Sequence, residues 1–285
     1  MQLAPDDALG CIKHHGGVDR EVSAGITVLP LQEFYTATAA YMREVDPAWL
    51  DYGLEHAMDA ERVRLEAVLG PSRQRRVLDC SCGAGTQAIP LAELGWQVTA
   101  ADVTQASLGA ARAMAARRNV AVDWRVSDLR AVGSMFSGQF EWVISCMVLD
   151  NILENSGLAE AVGAMREALK PGGGCYIRVR NFEQLLAVRP RYDVREERPV
   201  PHGRVIRLED WLYHSEQQVV NVWIFLREDT CRTGYVRDTT IFAYRRRALT
   251  SSELTTALRD AGFDAIRALP QGNAWDPIQL VARRP

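Results

Sequence analysis

Val77-Leu78-Asp79-Cys80-Ser81-Cys82-Gly83-Ala84-Gly85-Thr86 is an apolar run that ends on a carboxylate and passes into a turn of small residues. A helix is predicted over 86–94, closed by Gly95, and Val98-Thr99-Ala100-Ala101-Asp102 then forms a second apolar run with an acid at its end. Strand, glycine turn, helix, strand and terminal acid are the ligand-facing end of an open parallel sheet. Glycines there let the backbone come within hydrogen-bonding distance of a ligand, where a Cβ would collide. Asp102 stands where a carboxylate can accept two hydrogen bonds from a ribose diol.

Two nucleoside-type cofactors share that logic. A dinucleotide turn reads G-x-G-x-x-G, so that a pyrophosphate rests on the helix N-terminus. Here Ser81 occupies the place of the first glycine and Ala88 that of the third, and Asp79 would repel a pyrophosphate while suiting an ammonium group. The residues favour S-adenosylmethionine, with S-adenosylhomocysteine as the product. The chain resembles the class I S-adenosylmethionine-dependent methyltransferases, whose first motif runs acidic-x-x-x-Gly-x-Gly; Asp79, Gly83 and Gly85 match it.

Composition agrees with a globular enzyme. The 285 residues are 47% apolar and 24% charged, enough chain for one large domain or for a domain with an embedded cap. A net charge of −3 exerts no long-range pull on nucleic acid. No run of about 18 apolar residues is present, and the first residues show no basic start before an apolar stretch. A cytoplasmic protein with neither membrane nor nucleic-acid partner is therefore expected. The six cysteines do not describe a disulfide framework, and Cys80-x-Cys82 lacks the spacing of a zinc pair, so no metal is expected.

Alternation continues beyond the glycine turn. Strands are predicted at 76–79, 97–102, 122–126, 140–147 and 175–179, with helices near 105–118 and 158–170. The fold class is α/β: a doubly wound, mostly parallel, seven-stranded sheet. Three extended runs, 204–213, 218–226 and 235–244, lie too close together for crossover helices and predict an antiparallel cap inserted after strand five. The arginine-dense stretch 189–207 reads as a solvated, self-paired loop. Thr250-Ser251-Ser252-Glu253 is a capping box that opens a further helix, and 265–269 with 278–282 forms a closing hairpin. The expected domains are an N-terminal helical lid or arm (1–70), a cofactor domain (71–186 with 245–285) and the antiparallel cap (187–244).

Within the methyltransferases, the resemblance is to the glycine N-methyltransferase family and its small-molecule relatives. It rests on Arg178-Val179-Arg180-Asn181-Phe182-Glu183, the inserted strands and Phe242-Ala243-Tyr244-Arg245. It implies that Cys80 and Val103 accompany the two acids in the cofactor site, that Asp128 faces the adenine amino group with Leu129 against the ring, and that Cys146 and Met147 lie beside the donor sulfur. Asp128 as a cap of the following turn is the competing reading. Tyr41 and Trp49 fall near the aromatics that close the cofactor pocket in that family; packing of an N-terminal helix is their alternative. The resemblance also implies that Arg180 binds an acceptor carboxylate through paired hydrogen bonds, against a simple salt bridge to Glu183 or the cap.

The chain departs from that family at Cys146-Met147-Val148-Leu149-Asp150-Asn151, so glycine itself is not expected as substrate. Asp150, Asn151 and Tyr244 are the candidates for meeting the reacting group, and His202 and His214 for acceptor binding or proton removal. The expected reaction is direct in-line N-methylation of a small amine or amino-acid-like acceptor. O-methylation of a small molecule, which needs a general base, and a cofactor-binding regulator without turnover stand beside it. The resemblance makes a homo-oligomer possible.

Overall fold

The computed structural model describes residues 12–13, 26–46, 49–190, 192–231 and 234–285. From the N-terminus, β1 (Ile12–Lys13), α1 (Leu31–Val45) and α2 (Trp49–Leu69) precede the alternating region of β2 (Arg76–Asp79), α3 (Ala88–Glu93), β3 (Gln97–Asp102), α4 (Gln105–Arg117), β4 (Asp123–Val126), α5 (Val132–Phe136), β5 (Phe140–Cys146), α6 (Asn155–Ala168) and β6 (Leu169–Val179). Helix α7 (Phe182–Val188) leads to β7 (Tyr192–Val200), β8 (Gly203–Tyr213), β9 (Gln218–Cys231) and β10 (Gly234–Arg247). The chain closes with α8 (Ser251–Asp260), β11 (Asp264–Ala268) and β12 (Ile278–Arg283). It divides into two compact units, one of residues 1–49 and 185–247, the other of 50–184 and 248–285.

The second unit holds a seven-stranded sheet in the order β11-β12-β6-β5-β2-β3-β4. The five strands from β6 to β4 are parallel, and β12 and β11 pair antiparallel at one edge. Both faces are covered, which is why β2 and β5 read as near-continuous apolar runs. On one face Leu78, Val143, Ile177 and Leu280 pack with Leu158, Val162 and Met165 of α6 and with Leu254 and Leu258 of α8. On the other, Val77, Ala100, Trp142, Ile144 and Tyr176 pack with Leu65 and Leu69 of α2, Leu91 of α3 and Leu108 of α4. The expected capping box is present, with Thr250 accepting from the Glu253 N–H and Glu253 reaching back to the Thr250 N–H.

One boundary differs. The glycine run after Lys170 was expected to end a helix and separate it from the strand, but α6 stops at Ala168 and β6 passes straight through the glycines. The reason is packing, since a Cβ on Gly174 would lie 2.7 Å from the Trp142 ring. The strand can run past that indole only without a side chain.

The first unit is a five-stranded sheet in the order β1-β10-β9-β8-β7, antiparallel from β10 to β7. It has two strands more than the three runs foresaw: the two-residue β1, which pairs parallel with β10, and β7, because 192–200 is extended and not a loop. Its charges are those of a paired edge: Arg195 meets Glu209, and Arg198 meets Asp46. Arg207 also lies near Glu196. Helix α1 lies on this sheet through Phe34, whose ring is 4.0 Å from Tyr244 and 5.0 Å from Trp223. The opposite face carries Val220, Val222, Ala243 and Val28.

Candidate functional site

In the second unit the C-terminal ends of β3, β2, β5 and β6 bring Asp102, Asp79, Cys146 and Arg178 to one face of the sheet, the face that α2 covers. Asp102 holds the glycine turn directly. The Gly83 N–H donates to its Oδ2 at 2.8 Å and the Thr104 N–H to its Oδ1 at 2.8 Å. Two carboxylate oxygens offer about four acceptor positions, so this grip leaves room for hydroxyl donors.

The two glycines of the turn are required for different reasons. Gly85 has φ +88°, and a Cβ there would meet Ile89, Trp124 and Ala111 at 3.0–3.3 Å. Gly83 has φ +51°, but a Cβ on it would enter open space. Gly85 therefore serves packing, and Gly83 is the glycine whose bare backbone faces outward.

Asp79 is fully buried. Burial, with the negative charges of Asp102 and Glu61 adding to it, pushes its carboxyl up to about 7, against the Ser81 N–H and the charge of Arg178. Its Oδ1 accepts from the Ser81 N–H, and its Oδ2 has no hydrogen-bond partner among the described residues. Glu61 of α2 comes down on the same edge, accepting from Arg178 and Arg64 through Oε1, with no partner for Oε2 among the described residues. The Arg178 Nε is likewise buried without one. A buried charged pair with unsatisfied atoms costs stability and marks a site built for something other than stability.

Glu61 and Arg178 were not singled out from the sequence, although each carried a signal. Glu61 falls at helical spacing from Met58 and Leu65, both buried, so an acid stands on the inward stripe of α2. Arg178 follows Tyr176 by two in a buried strand, on the face opposite Ile177 and Val179.

The remaining expected cofactor residues fall as follows. The Cys80 side chain lies in the core, donating to the Ile144 carbonyl, so only its backbone borders the turn; burial raises its thiol. Burial likewise raises the Cys146 thiol, which packs beside Trp142 and Tyr176. Met147, the residue after β5, has φ +63°, a left-handed conformation that costs a side-chain-bearing residue roughly 1–2 kcal/mol. Its N–H donates to the Arg178 carbonyl at 2.6 Å. Val103 is 47% exposed next to Asp102, and Leu129 is buried. Asp128 caps the turn Leu129–Ala131 and binds the Arg130 guanidinium through both oxygens, which lowers its pKa. The capping role weighed for Asp128 is thus present. Asp150 and Asn151 lie in the short turn Leu149–Asn151, with Asp150 fully buried and Asn151 Oδ1 buried with no hydrogen-bond partner among the described residues. Arg180 is half-buried just after β6, and Glu183 does not pair with it but accepts from the Ser251 N–H and hydroxyl.

Other expected residues belong to the first unit. Tyr41 of α1 packs 4.8 Å from Phe225, and burial raises its phenol. Tyr244 is buried in β10, its hydroxyl accepting from Arg246. His202 and His214 are both exposed, one in the turn before β8 and the other just after it. They stand at opposite ends of an 11-residue strand, about 35 Å long, and the structure does not bring them together. Trp49 opens α2, but its side chain, like residues 1–11 and 14–25, lies outside the described residues.

Comparisons with known proteins agree with this architecture. Residues 77–173 match the family described as "Methyltransferase domain". A ubiquinone biosynthesis O-methyltransferase of Methylocella silvestris is 34% identical over 103 residues, which are 36% of this chain and 39% of that enzyme. One of the same name from Cereibacter sphaeroides is 31% identical over 135 residues, 46% of this chain and 51% of its own length. The chain thus spans about half or less of the curated relatives it matches. An S-adenosylmethionine-bound amino pentose methyltransferase from Micromonospora echinaspora superposes with TM-score 0.61 at 18% identity, covering 95% of this chain and all of that one. DesVI from Streptomyces venezuelae gives TM-score 0.64 at 18% identity over 84% of this chain and 96% of its own. Residues 77–173 thus match a methyltransferase domain, and the strand order and the glycine turn between β2 and α3 share the fold of the S-adenosylmethionine-dependent methyltransferases.

Proposed function

We propose that the protein transfers a methyl group from S-adenosylmethionine to an oxygen of a small-molecule acceptor. The observation that carries this is the row of acids on one sheet edge, where Asp102 grips a glycine turn whose Gly83 faces open space and Asp79 lies buried with an unpartnered oxygen. The residues suit that cofactor. Asp102 has acceptor capacity left for a ribose diol. Asp79 Oδ2 and Glu61 Oε2 are buried acceptors for an ammonium, and the Arg178 Nε is a donor for a carboxylate. When bound, the cofactor supplies a methyl group already activated on a sulfonium. The protein's own task is to hold the acceptor atom in line and keep water out. For a hydroxyl acceptor a general base is also needed, and Asp150, buried in the turn after β5, is its candidate in the second unit.

Oxygen is favoured over nitrogen because the sequence relatives at 31–34% identity are named O-methyltransferases. A second reading, N-methylation, has its own support in the Arg180-Asn181-Phe182 run and in the amino pentose methyltransferase whose structure covers 95% of this chain. Calorimetry with S-adenosylhomocysteine tests the donor site. Asp102→Ala is expected to weaken binding at least a hundredfold, and unchanged affinity would remove the basis of the proposal. A panel of phenols, alcohols and amines, followed by S-adenosylhomocysteine release, then separates oxygen from nitrogen.

A further inference from the structure

Glu61 and Arg178 stand 117 positions apart in the chain and meet because α2 comes down on the end of β6. Glu61 gives only Oε1 to the pair and shares it with Arg64 of its own helix. Three atoms are then buried with no hydrogen-bond partner among the described residues: Glu61 Oε2, Arg178 Nε and, at the end of β2, Asp79 Oδ2. The charges of Glu61 and Arg178 both act on Asp79, so the three side chains form one electrostatic cluster. Its leftover capacity is two carboxylate acceptors and one guanidinium donor.

Such a cluster is a poor fastening for a helix. Apolar residues of similar volume stabilise a fold as well or better, and Leu65 and Leu69 already hold α2 to the sheet. Unsatisfied buried atoms have a use when their partners arrive with a ligand, and the complement of this set is a molecule end that carries an ammonium and a carboxylate together. The same sheet edge has open space beside Gly83, where a Cβ would meet nothing within 4 Å, and Glu61 and Arg178 keep 5% and 9% of their surface exposed. Asp79 has no exposed surface, so a ligand meets its Oδ2 only after a neighbour moves. Glu61 is the charged neighbour that belongs to a helix and not to the sheet.

We infer that the Glu61–Arg178 pair is the ligand-free substitute for the amino-acid end of the methyl donor. Binding parts the pair: the ammonium takes Glu61 and Asp79, and the carboxylate takes Arg178. Arg64 stays with Glu61, so that carboxylate is compensated while its other partner changes. The consequence is selectivity, because a nucleoside that lacks either charge opens the pair without replacing both partners, or leaves it closed and gains nothing from it. This exchange rests on the donor reading above.

The test is calorimetry on the whole protein with three ligands: S-adenosylhomocysteine, 5′-methylthioadenosine, which lacks both charges, and 5′-deoxy-5′-(3-aminopropylthio)adenosine, which keeps only the ammonium. A charge-assisted hydrogen bond is at stake, so Glu61→Gln should weaken the first and third ligands about tenfold or more and leave 5′-methylthioadenosine unchanged. Arg178→Met should bind the aminopropyl ligand more tightly than the wild type, because Glu61 no longer has to part from a guanidinium. A pair that only held α2 in place would instead weaken all three ligands together. The double variant Glu61→Leu, Arg178→Met removes the burden on folding; it should bind 5′-methylthioadenosine as the wild type does and S-adenosylhomocysteine no better than that. Equal weakening of all ligands by Glu61→Gln, or weaker aminopropyl binding by Arg178→Met, would overturn the inference. A wild-type protein that binds none of the three would remove the donor reading and the exchange with it, whereas one that binds S-adenosylhomocysteine no better than 5′-methylthioadenosine would remove the exchange alone.

Discussion

The edge of the seven-stranded sheet and the inner face of the five-stranded sheet both bury polar atoms that are left unsatisfied, but they do so with opposite materials. At the first, full charges meet: Asp79, Glu61 and Arg178 come from three elements to one face and only partly neutralise one another. At the second, the neutral amide of Asn221 meets the Trp223 indole, while the charges nearby, such as Arg195 with Glu209, pair across strands. Charges in low dielectric are costly unless they are paired, whereas a neutral amide costs far less to bury.

The largest expected effect sets the two regions against each other as folding units. Phe34→Ala removes a ring with no exposed surface and should cost about 3–5 kcal/mol. If the two sheets open separately, hydrogen exchange will accelerate in β9 and β10 and stay unchanged in β2, β5 and β6. Equal acceleration in both would erase the distinction. Next, Arg178→Met should destabilise the second unit by about 3 kcal/mol by leaving the buried Glu61 with only the half-exposed Arg64 as its partner, and Glu61→Leu added to it should restore most of the loss. Denaturant titration of the two single variants and the double variant checks this. A double variant no better than the single one would show that the pair is not an isolated burden on stability.

The smallest effect is the pH response of Asp79. An ordinary aspartate titrates near 4, and burial brings Asp79 to about 7, so between those values the folded protein holds a proton that the unfolded chain has released. The contribution of this group to stability therefore declines as pH rises from about 4 to 7 and is flat above that. Binding of an ammonium needs the ionised form, so S-adenosylhomocysteine affinity should fall about tenfold per pH unit below 7. Calorimetry at pH 5.5, 6.5 and 8 measures it, and Asp79→Asn should flatten the profile. A wild-type profile already flat over that range would mean that Asp79 does not meet the ammonium.

The glycine turn was legible in the chain because its parts are close together. Asp79, Gly83 and Asp102 belong to one strand-turn-helix-strand unit, and apolar periodicity locates its strands to the residue: Arg76–Asp79 and Gln97–Asp102 were foreseen as they stand. The Thr250 capping box was readable for the same reason, since four consecutive residues define it. Strand Tyr192–Val200 was not, because its charged residues look like loop until Arg195 and Arg198 are seen paired with Glu209 and Asp46. Asp128 lay between: its capping geometry was foreseeable from the next two residues, but the Arg130 pair that occupies its oxygens depends on a side-chain conformation.

The order of elements, the parallel sheet, the glycine turn and its two acids were determined by the sequence alone, through local propensity and short-range steric demand. Which buried groups lack partners was decided only by tertiary structure. Glu61 meets Arg178 across 117 positions, and Asn221 meets Tyr244 only because β9 and β10 pair in one register out of many. A residue's desolvation and its leftover hydrogen-bonding capacity are properties of its neighbours, and those neighbours are set by packing, not by adjacency in the chain.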